Sequence, residues 1–280
     1  MSDAFLPLVS PTALHAALGR DDLVVLDVRS SSDGGGPDVF AAGHIPGALY
    51  SDYAKAGWRI KKDGAGGLLP EPEALAALLG KLGLRPTDQV VITPYGTNAS
   101  DFAAAARVYW TLKLVGQSRI SILDGGLKAW HAAGFALERG AGRTAIPTTY
   151  PLSLRPDLRV TADAVLAALG RVILVDARSQ SYFEGQEKAS EARVAGRIPG
   201  ALSRDYVRAF DAETGHLNSK AALESLFSGV EGDIISYCNT GHTAALTWFV
   251  LSEVLGRKAR LYDGSMTGWT ADETHPVDVG

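Results

Sequence analysis

A strand, a loop and the start of a helix follow one another in Ile234-Ile235-Ser236-Tyr237-Cys238-Asn239-Thr240-Gly241-His242-Thr243-Ala244-Ala245-Leu246. The apolar, partly β-branched run from Ile234 to Tyr237 is typical of a buried strand, and residues 243–255 have helical spacing of apolar side chains. A buried strand that leads through a polar loop into a helix is the repeating unit of α/β folds. The stretch therefore predicts an α/β domain with Cys238 at a strand-to-helix turn.

Cys238 is the only cysteine among 280 residues. The first backbone N–H groups of a helix lack intrahelical partners, and the helix dipole places partial positive charge there. Both features favour an anion, so they favour the nucleophilic thiolate and a charged sulfur species bonded to it. A free cysteine is more often a small buried hydrophobe without chemistry. The polar loop around Cys238, in which Gly241 permits a tight turn, favours a catalytic role instead.

Four sequence landmarks occur twice in the same order. Residues 23–30 and 172–179 end in Asp-x-Arg-Ser, residues 42–49 and 195–202 share Gly-x-Ile-Pro-Gly-Ala, residues 90–95 match the strand that ends at Tyr237, and residues 124–130 and 263–269 share Asp-Gly-x-x-x-x-Trp. An ordered recurrence of this kind indicates an internal duplication. The chain is therefore predicted to contain two copies of one domain.

The two domains are expected at residues 1–140 and 158–280, joined by a linker at residues 141–157. The linker region is rich in glycine and proline and has few periodic apolar residues. Each copy alternates apolar strands with helical stretches, at residues 72–82, 102–114 and 220–227. This alternation predicts a mainly parallel sheet with helices on both faces, and ligands gather at the carboxyl ends of such strands.

The two copies differ at the position of the cysteine. When Tyr95 is aligned with Tyr237, Gly96 falls opposite Cys238, and glycine has no nucleophile. The N-terminal copy is therefore expected to shape the substrate site and to support the structure, while the C-terminal copy does the chemistry.

Composition limits the classes of partner. The net charge is -4 and the pI is about 5.9, with interspersed charges, so there is no basic stripe for nucleic acid. Residues 1–20 lack a signal-peptide pattern, and no run approaches the ~18 apolar residues of a membrane span. One cysteine and scattered histidines predict no metal site. We expect a cytoplasmic protein that needs no metal or cofactor and binds neither nucleic acid nor a membrane.

Together, these landmarks resemble the tandem-domain rhodanese family of sulfurtransferases. The resemblance rests on Asp-x-Arg-Ser, Gly-His-Ile-Pro-Gly-Ala, the loop Cys-x-x-Gly-x-x and Asp-Gly-x-x-x-x-Trp, and it covers nearly the whole chain. It implies two rhodanese-like domains, of which only the C-terminal one is active. It also implies that Cys238 takes a sulfane sulfur from a small anionic donor as a persulfide and passes it to cyanide or a thiol acceptor.

The family divides mainly into thiosulfate and 3-mercaptopyruvate users. Mercaptopyruvate enzymes commonly read Cys-Gly-Ser-Gly-Val-Thr in the loop and carry a histidine just before Met-Leu-Pro in the first domain. Here the loop reads Cys238-Asn239-Thr240-Gly241-His242-Thr243, and Gly67 precedes Leu68-Leu69-Pro70. Animal thiosulfate enzymes have basic residues at the second and third loop positions, and His242 is a candidate source of such charge. We expect thiosulfate as donor, with 3-mercaptopyruvate as the alternative.

Family members bind the anionic donor with the arginine of Asp-x-Arg and a second arginine four residues later. Arg178 matches the first, whereas Tyr182 stands at the second position. Arg193 and Arg197 lie further along the same loop and are candidate replacements, because a guanidinium group makes forked hydrogen bonds to oxyanions. The resemblance thus implies Arg178, Tyr182 and Arg193 as donor-binding residues. A structural role for Arg178, bridging Asp176 or a helix end, remains open at this stage.

Three other functions are weighed against this one. A cysteine phosphatase with a Cys-x5-Arg loop needs an arginine six places after the cysteine, where this chain has Ala244. A rhodanese-like binding module usually lacks the cysteine. A redox switch is disfavoured because the chain has no second cysteine to resolve an oxidised Cys238.

Overall fold

The computed structural model describes residues 5–280, which divide into two compact units. Unit 1 comprises residues 5–58, 70–154 and 211–217, and unit 2 comprises residues 59–69, 155–210 and 218–280. The boundary between the two halves of the chain lies between residues 154 and 155, and two short segments, 59–69 and 211–217, are exceptions to it. Each of these segments packs with the unit built from the other half of the chain.

Unit 1 is a parallel sheet of five strands in the order β1-β7-β6-β2-β3. The strands are β1 (Leu8–Val9), β2 (Leu23–Asp27), β3 (Leu49–Tyr50), β6 (Gln89–Thr93) and β7 (Ile120–Leu123). The helices are α1 (Pro11–Ala17), α2 (Pro37–Ala42), α3 (Pro72–Lys81), α4 (Ala99–Leu114) and α5 (Gly126–Ala132). All five residues of β2 and of β6 are buried, as expected for central strands covered on both faces.

Unit 2 repeats this arrangement with four parallel strands in the order β13-β12-β8-β9. The strands are β8 (Ile173–Asp176), β9 (Leu202–Ser203), β12 (Ile234–Tyr237) and β13 (Ala259–Leu261). The helices are α6 (Ala162–Ala168), α7 (Gln180–Phe183), α8 (Lys220–Leu226), α9 (Thr243–Phe249), which continues as a π-helical turn at Val250–Val254, and α10 (Ser265–Trp269). The counterpart of β1 is a single parallel bridge between Arg159 and Leu261.

The matching strand orders confirm the predicted fold class of two α/β domains with parallel sheets. The Asp-Gly-x-x-x-x-Trp landmark has the same role in both units. The buried indole of Trp130 donates to the carbonyl of Ala136 at 3.0 Å, and that of Trp269 donates to the carbonyl of Pro276 at 2.8 Å. Each tryptophan belongs to an apolar cluster formed by residues of its own unit. The landmark therefore fastens the segment that follows the last helix of each domain.

Two short hairpins are exchanged between the two halves of the sequence. The antiparallel pair β4 (Ile60–Lys62) and β5 (Ala65–Leu68) belongs with unit 2, where the Leu69 amide donates to Asp263 at 2.8 Å. Strands β10 (Phe210–Asp211) and β11 (His216–Leu217) form the second two-stranded sheet, and residues 211–217 belong with unit 1. Contiguous domain boundaries do not capture this exchange, because contacts distant in sequence decide where a hairpin packs.

The expected linker has no helix or strand before residue 156 and follows the surface of unit 1. Its backbone amides donate to carbonyls of that unit. The Arg143 amide donates to Ala48, the Thr148 amide to Gly80 and the Ser153 amide to Val115, at distances of 2.9, 2.8 and 3.0 Å. These hydrogen bonds satisfy its backbone without regular secondary structure.

The alignment of the two loops differs from the one inferred from sequence. Asp27 pairs with Thr93 between β2 and β6, and Asp176 pairs with Tyr237 between β8 and β12. Because the Asp-x-Arg aspartates are equivalent, Thr93 is the counterpart of Tyr237. Pro94, not Gly96, is therefore the residue of unit 1 that corresponds to Cys238. The alignment inferred from sequence was wrong because it matched Tyr95 with Tyr237 by residue type, whereas the strand register shifts the match by two residues.

Gly67 lies directly against the backbone of the loop that follows Cys238 in unit 2. It has φ +77°, and a Cβ added there would lie 2.0 Å from the carbonyl oxygen of Thr240. Gly64 in the same hairpin has φ +81° but has no atom within 4 Å of an added Cβ. The two glycines share the backbone requirement and differ only in the contact.

We predict that Gly67→Ala lowers the free energy of unfolding by more than about 2 kcal/mol, because a backbone carbonyl cannot move aside cheaply. Gly64→Ala is the matched control and should cost only about 1 kcal/mol for its left-handed backbone. Urea denaturation followed by tryptophan fluorescence measures both. Equal losses for the two variants would contradict the close contact.

Candidate active site

Cys238 lies where the sequence placed it, directly after the last residue of β12 and before the first turn of α9. The predicted strand Ile234–Tyr237 is confirmed residue for residue. The side chain of Cys238 is almost fully buried, with 2 % of its surface exposed. The nucleophile candidate thus lies at the floor of a loop rather than on the surface.

Ser265 connects the two ends of the cysteine loop. Its hydroxyl oxygen accepts hydrogen bonds from the amides of Cys238 and Gly241, both at 3.0 Å. It lies 2.9 Å from the carbonyl of Tyr262 and 3.9 Å from Sγ of Cys238, so its one proton goes to the nearer oxygen. Ser265 is fully buried and has φ +49°, a left-handed backbone that serine rarely adopts. The loop curvature therefore depends on a strained, buried serine.

Sequence reasoning missed Ser265, although the duplication contained a signal. In unit 1 the corresponding residue of Asp-Gly-x-x-x-x-Trp is Gly126, with φ +59°. An added Cβ there would lie 2.5 Å from the carbonyl oxygen of Pro94. Pro94 has no N–H for a hydroxyl to accept. Glycine is the usual residue at a left-handed position, so a serine there indicates that its hydroxyl has a role. Only unit 2 has that serine, and only there are amides bound to it.

Helix α10 also supports the loop from its first turn. The Met266 amide donates to the Cys238 carbonyl, and the Thr267 amide donates to the Asn239 carbonyl, both at 3.0 Å. The backbone of Cys238 is therefore fixed on both its N–H and its C=O side, by neighbouring residues of one turn. Such preorganisation holds a reacting side chain in one position.

The corresponding loop of unit 1 contains its own anion. The carboxylate of Asp101 accepts from the amides of Tyr95, Gly96 and Thr97 at 2.9, 2.5 and 3.2 Å. Burial raises the pKa of Asp101 to about 6, and the three amide hydrogen bonds oppose that rise. By strand register, the counterpart of Asp101 in unit 2 is Ala245, which has no charge. The loop fold accepts an anion in one copy, and the other copy presents Cys238 in its place.

Arg178 is held inside unit 2 by its own motif. Its guanidinium group binds both carboxylate oxygens of Asp176, and its Nη2 donates to the Gly196 carbonyl at 2.8 Å. Its Nη1 reaches Oδ1 of Asn239 in the cysteine loop at 3.5 Å. The pKa of Arg178 is raised, because the hydrogen bond and charge of Asp176 outweigh the desolvation that lowers it. Arg178 thus joins the end of β8 to the loop that carries Cys238.

The other candidate donor-binding residues are partly exposed. The Arg178 guanidinium lies 6.0 Å from the ring centre of Tyr182. Arg193 donates from Nε to the Thr270 carbonyl at 3.1 Å and approaches Glu273 at 3.8 Å. The structure therefore brings Tyr182 and Asn239 to Arg178, and it places Arg193 on the end of α10.

Arg197 serves the C-terminal segment. It donates to the carbonyls of Phe183 and Gly280 at 3.2 and 3.0 Å, and its guanidinium lies 4.5 Å from the Phe183 ring centre. Its two donating nitrogens therefore have protein acceptors.

The remaining loop residues differ in exposure. Gly241 is buried, has φ +68° and donates its amide to Ser265, which agrees with the expected tight turn. Asn239, Thr240, His242 and Thr243 are partly exposed. His242 occupies the N-cap position of α9 in a helical conformation, with no side-chain capping hydrogen bond. The polar side chains of the loop therefore reach solvent beside a buried sulfur atom.

Residues 5–280 contain no group of three or more histidine, cysteine, aspartate or glutamate side chains arranged to bind a metal ion. Among the same residues, no helix combines the length and apolar character required to cross a lipid bilayer.

We predict that Ser265→Ala lowers both stability and turnover. Loss of the hydroxyl leaves the buried amides of Cys238 and Gly241 without their acceptor, at a cost of about 2–4 kcal/mol in unfolding free energy. Ser252→Ala, at a partly exposed serine bound to Glu253, is the control and should change little. Urea denaturation and steady-state assays measure the effects. If Ser265→Ala had the unfolding free energy and turnover rate of the wild type, the two hydrogen bonds that Ser265 accepts would be dispensable.

Asp101 should make stability depend on pH in a defined direction. Its folded pKa of about 6 lies above the ordinary 3.8, so the folded protein binds the proton more tightly than the unfolded chain. The resulting stabilisation is fully present below about pH 4 and is lost as the pH rises through 6. Its total is about 3 kcal/mol.

Asp101→Asn removes this titration while the amide oxygen still accepts from the loop. Denaturation of both proteins at pH 4 and pH 7 isolates the effect, because the other titrating groups are common to both. The wild type should lose stability relative to Asp101→Asn between these two values. Parallel pH profiles would contradict the raised pKa.

Comparison with known proteins agrees with this architecture. The rhodanese-like domain family matches the chain twice, at residues 10–133 and 161–272. The chain is 33% identical to the "Probable 3-mercaptopyruvate sulfurtransferase" of Pseudomonas aeruginosa, over 98% of both chains. It is 32% identical to the thiosulfate sulfurtransferase of Azotobacter vinelandii, over 99% of this chain and 98% of the relative.

A solved structure shows the same fold. SseA from Escherichia coli, a 3-mercaptopyruvate sulfotransferase, matches with a TM-score of 0.79 at 25% identity. The match covers 93% of this chain and 99% of SseA. The doubled α/β architecture is therefore shared over nearly the full length.

Proposed function

The chain belongs to the rhodanese family, and on that premise we propose that it is a sulfurtransferase that carries sulfur on Cys238. The donor is thiosulfate, and the acceptor is cyanide or a thiol. The observation that supports this proposal is the loop pair: equivalent backbone amides bind the Asp101 carboxylate in unit 1, whereas in unit 2 the loop begins with Cys238 and lacks that carboxylate.

The reaction has two displacement steps. In the first, the Cys238 thiolate attacks the sulfane sulfur of thiosulfate. A new S–S bond forms to Cys238, the S–S bond of thiosulfate breaks, and sulfite leaves with the electron pair. In the second, cyanide attacks the outer sulfur of the persulfide, thiocyanate leaves, and the Cys238 thiolate is restored. Each step passes a sulfane sulfur from one nucleophile to another without net oxidation or reduction, so neither requires an external oxidant or reductant.

The loop supports the anionic intermediate. The persulfide is an anion, and the backbone amides of residues 239 and 240 are the equivalents of two of the three that bind the Asp101 carboxylate. The equivalent of the third, the Gly241 amide, donates to Ser265 instead. We assign Asn239, Thr240, Gly241, His242 and Thr243 to the cradle around this sulfur. A buried, preorganised set of donors stabilises such charge better than water does, because the donors do not reorient during the reaction.

Donor recognition is assigned to Arg178, Arg193 and Tyr182. Arg178 acts through its charge and its contact with Asn239, since its other nitrogens bind Asp176 and Gly196. Tyr182 and Arg193 are partly exposed and offer a hydroxyl and a guanidinium to the oxyanion of the donor. We also assign the reaction to the cytoplasm, where a single thiol stays reduced.

The contact between Gly67 and the Thr240 carbonyl favours thiosulfate over 3-mercaptopyruvate as donor. The position where mercaptopyruvate enzymes commonly have histidine is Gly67, and any side chain there meets the Thr240 carbonyl at 2.0 Å. The alternative donor is retained as a second candidate, because a relative that shares 33% identity over 98% of the chain has a mercaptopyruvate sulfurtransferase name.

We predict that Cys238→Ser abolishes sulfur transfer, because a serine hydroxyl cannot replace the thiolate as sulfur carrier. Mass spectrometry after thiosulfate treatment should show one added sulfur on the wild-type protein and none on Cys238→Ser. Circular dichroism of the variant verifies that the fold persists. A wild-type protein without an adduct after treatment with either donor would refute the persulfide mechanism.

A side-by-side steady-state assay separates the donors, with cyanide as acceptor. We expect kcat/KM for thiosulfate to exceed that for 3-mercaptopyruvate by at least about tenfold, a difference of about 1.4 kcal/mol in transition-state binding. The reverse order would replace thiosulfate by mercaptopyruvate and leave the role of Cys238 intact.

A further inference from the structure

Unit 1 contains a cavity that the proposed reaction does not use. Its volume is about 450 Å³, and all its lining residues belong to unit 1. Val39, Leu127 and Leu137 form an apolar wall, while Arg29 and Thr97 supply polar groups. A cavity of this size with few polar groups is typical of sites for small organic molecules.

Arg29, which lines the cavity, has a buried guanidinium nitrogen without a hydrogen-bond acceptor. Arg29 is 1 % exposed; its Nε binds both oxygens of Asp27, and its Nη2 donates to the Gly43 carbonyl at 3.1 Å. Its Nη1 is fully buried and has no acceptor in the structure. A buried N–H without an acceptor carries a desolvation cost of about 1–3 kcal/mol, which a ligand oxygen would remove.

Comparison with unit 2 explains why this nitrogen is unsatisfied. The equivalent Nη1 of Arg178 reaches Oδ1 of Asn239. By strand register, the counterpart of Asn239 is Tyr95, whose ring centre lies 5.2 Å from the Arg29 guanidinium. A ring face attracts the cation but offers no carbonyl oxygen. The acceptor that unit 2 supplies from its own loop is therefore missing in unit 1.

The opening of the cavity has basic side chains. Lys128 and His131 line it and lie three residues apart on α5, so they share one side of the helix. The same positions of the Asp-Gly-x-x-x-x-Trp segment in unit 2, counted from the tryptophan, are Thr267 and Thr270. None of the described residues that line the cavity is acidic. Because Asp27 already neutralises the charge of Arg29, Lys128 is the lining side chain whose charge favours an anion here.

Covalent chemistry is excluded at this place. The loop amides that could hold a reacting anion already bind Asp101, and Pro94 stands at the position of the cysteine. A ligand in this cavity must therefore bind through Arg29, Lys128 and the apolar wall, and it leaves unchanged.

We propose that the N-terminal unit is a binding site for a small carboxylate with an apolar body. The carboxylate accepts from Nη1 of Arg29 and pairs with Lys128 and His131, and the apolar body packs against Val39, Leu127 and Leu137. The copy without a nucleophile thus has a ligand-binding role of its own.

Benzoate is a suitable probe, with benzyl alcohol as its uncharged analogue. In amide-resolved NMR of the full chain, benzoate should shift signals of Gly43, Thr97 and Leu127, with a dissociation constant on the order of 1 mM for so small a ligand. Benzyl alcohol should bind at least about tenfold more weakly. Shifts restricted to residues 238–243, or equal binding of benzyl alcohol, would overturn the proposal.

Two lysine variants test the charge. Lys128→Gln should weaken benzoate binding about fivefold to tenfold, because it removes the cation at the opening. Lys81→Gln, at an exposed lysine in the last turn of α3, is the matched control and should not change it. Both variants should retain the sulfur-transfer rate of the wild type, which verifies their fold. Unchanged affinity in Lys128→Gln would overturn the assigned site.

Discussion

A buried aspartate–arginine pair lies at the end of β2 in unit 1 and of β8 in unit 2, and the neighbouring loops depend on it. Asp27 and Arg29, like Asp176 and Arg178, are at most 4 % exposed and form bidentate contacts. Each arginine also binds a carbonyl of the Gly-x-Ile-Pro-Gly segment. Loss of one partner from such a pair leaves an uncompensated buried charge, which typically costs about 3–5 kcal/mol. The pair therefore fixes the end of β2 or β8, which is the strand next to the one that the functional loop follows.

The same loop has two electrostatic solutions in one molecule. In unit 1 a carboxylate from the first turn of α4 occupies the loop amides, and a proline heads the loop. In unit 2 the carboxylate is absent, a cysteine heads the loop, and the Ser265 hydroxyl accepts from the amides of Cys238 and Gly241. A carboxylate of the chain thus occupies the loop amides of unit 1, whereas unit 2 has no such carboxylate, which is the difference on which the proposed sulfur transfer rests.

Glycines at left-handed positions determine how closely backbone segments approach these loops. Gly67 lies against the Thr240 carbonyl, and Gly215 of the other exchanged hairpin lies against the Gly96 carbonyl. By strand register these two carbonyls are equivalent, so each hairpin covers the same point of a loop. Because Gly67 lies directly against the Thr240 carbonyl, that position has no room for a side chain. This restriction links the hairpin to donor selection in the proposed reaction.

The sequence alone determined the duplication, the α/β class and the position of Cys238 after its strand, because hydrophobic periodicity and repeated motifs are local properties. The same reasoning recovered the helices that begin at Pro72 and Lys220. Only the tertiary structure decided that Pro94 is the counterpart of Cys238, that Ser265 ties the loop and that Arg29 lacks an acceptor. Strand register and hydrogen-bond partners depend on residues far apart in the chain, and no local pattern specifies which distant group will fill a buried donor or acceptor.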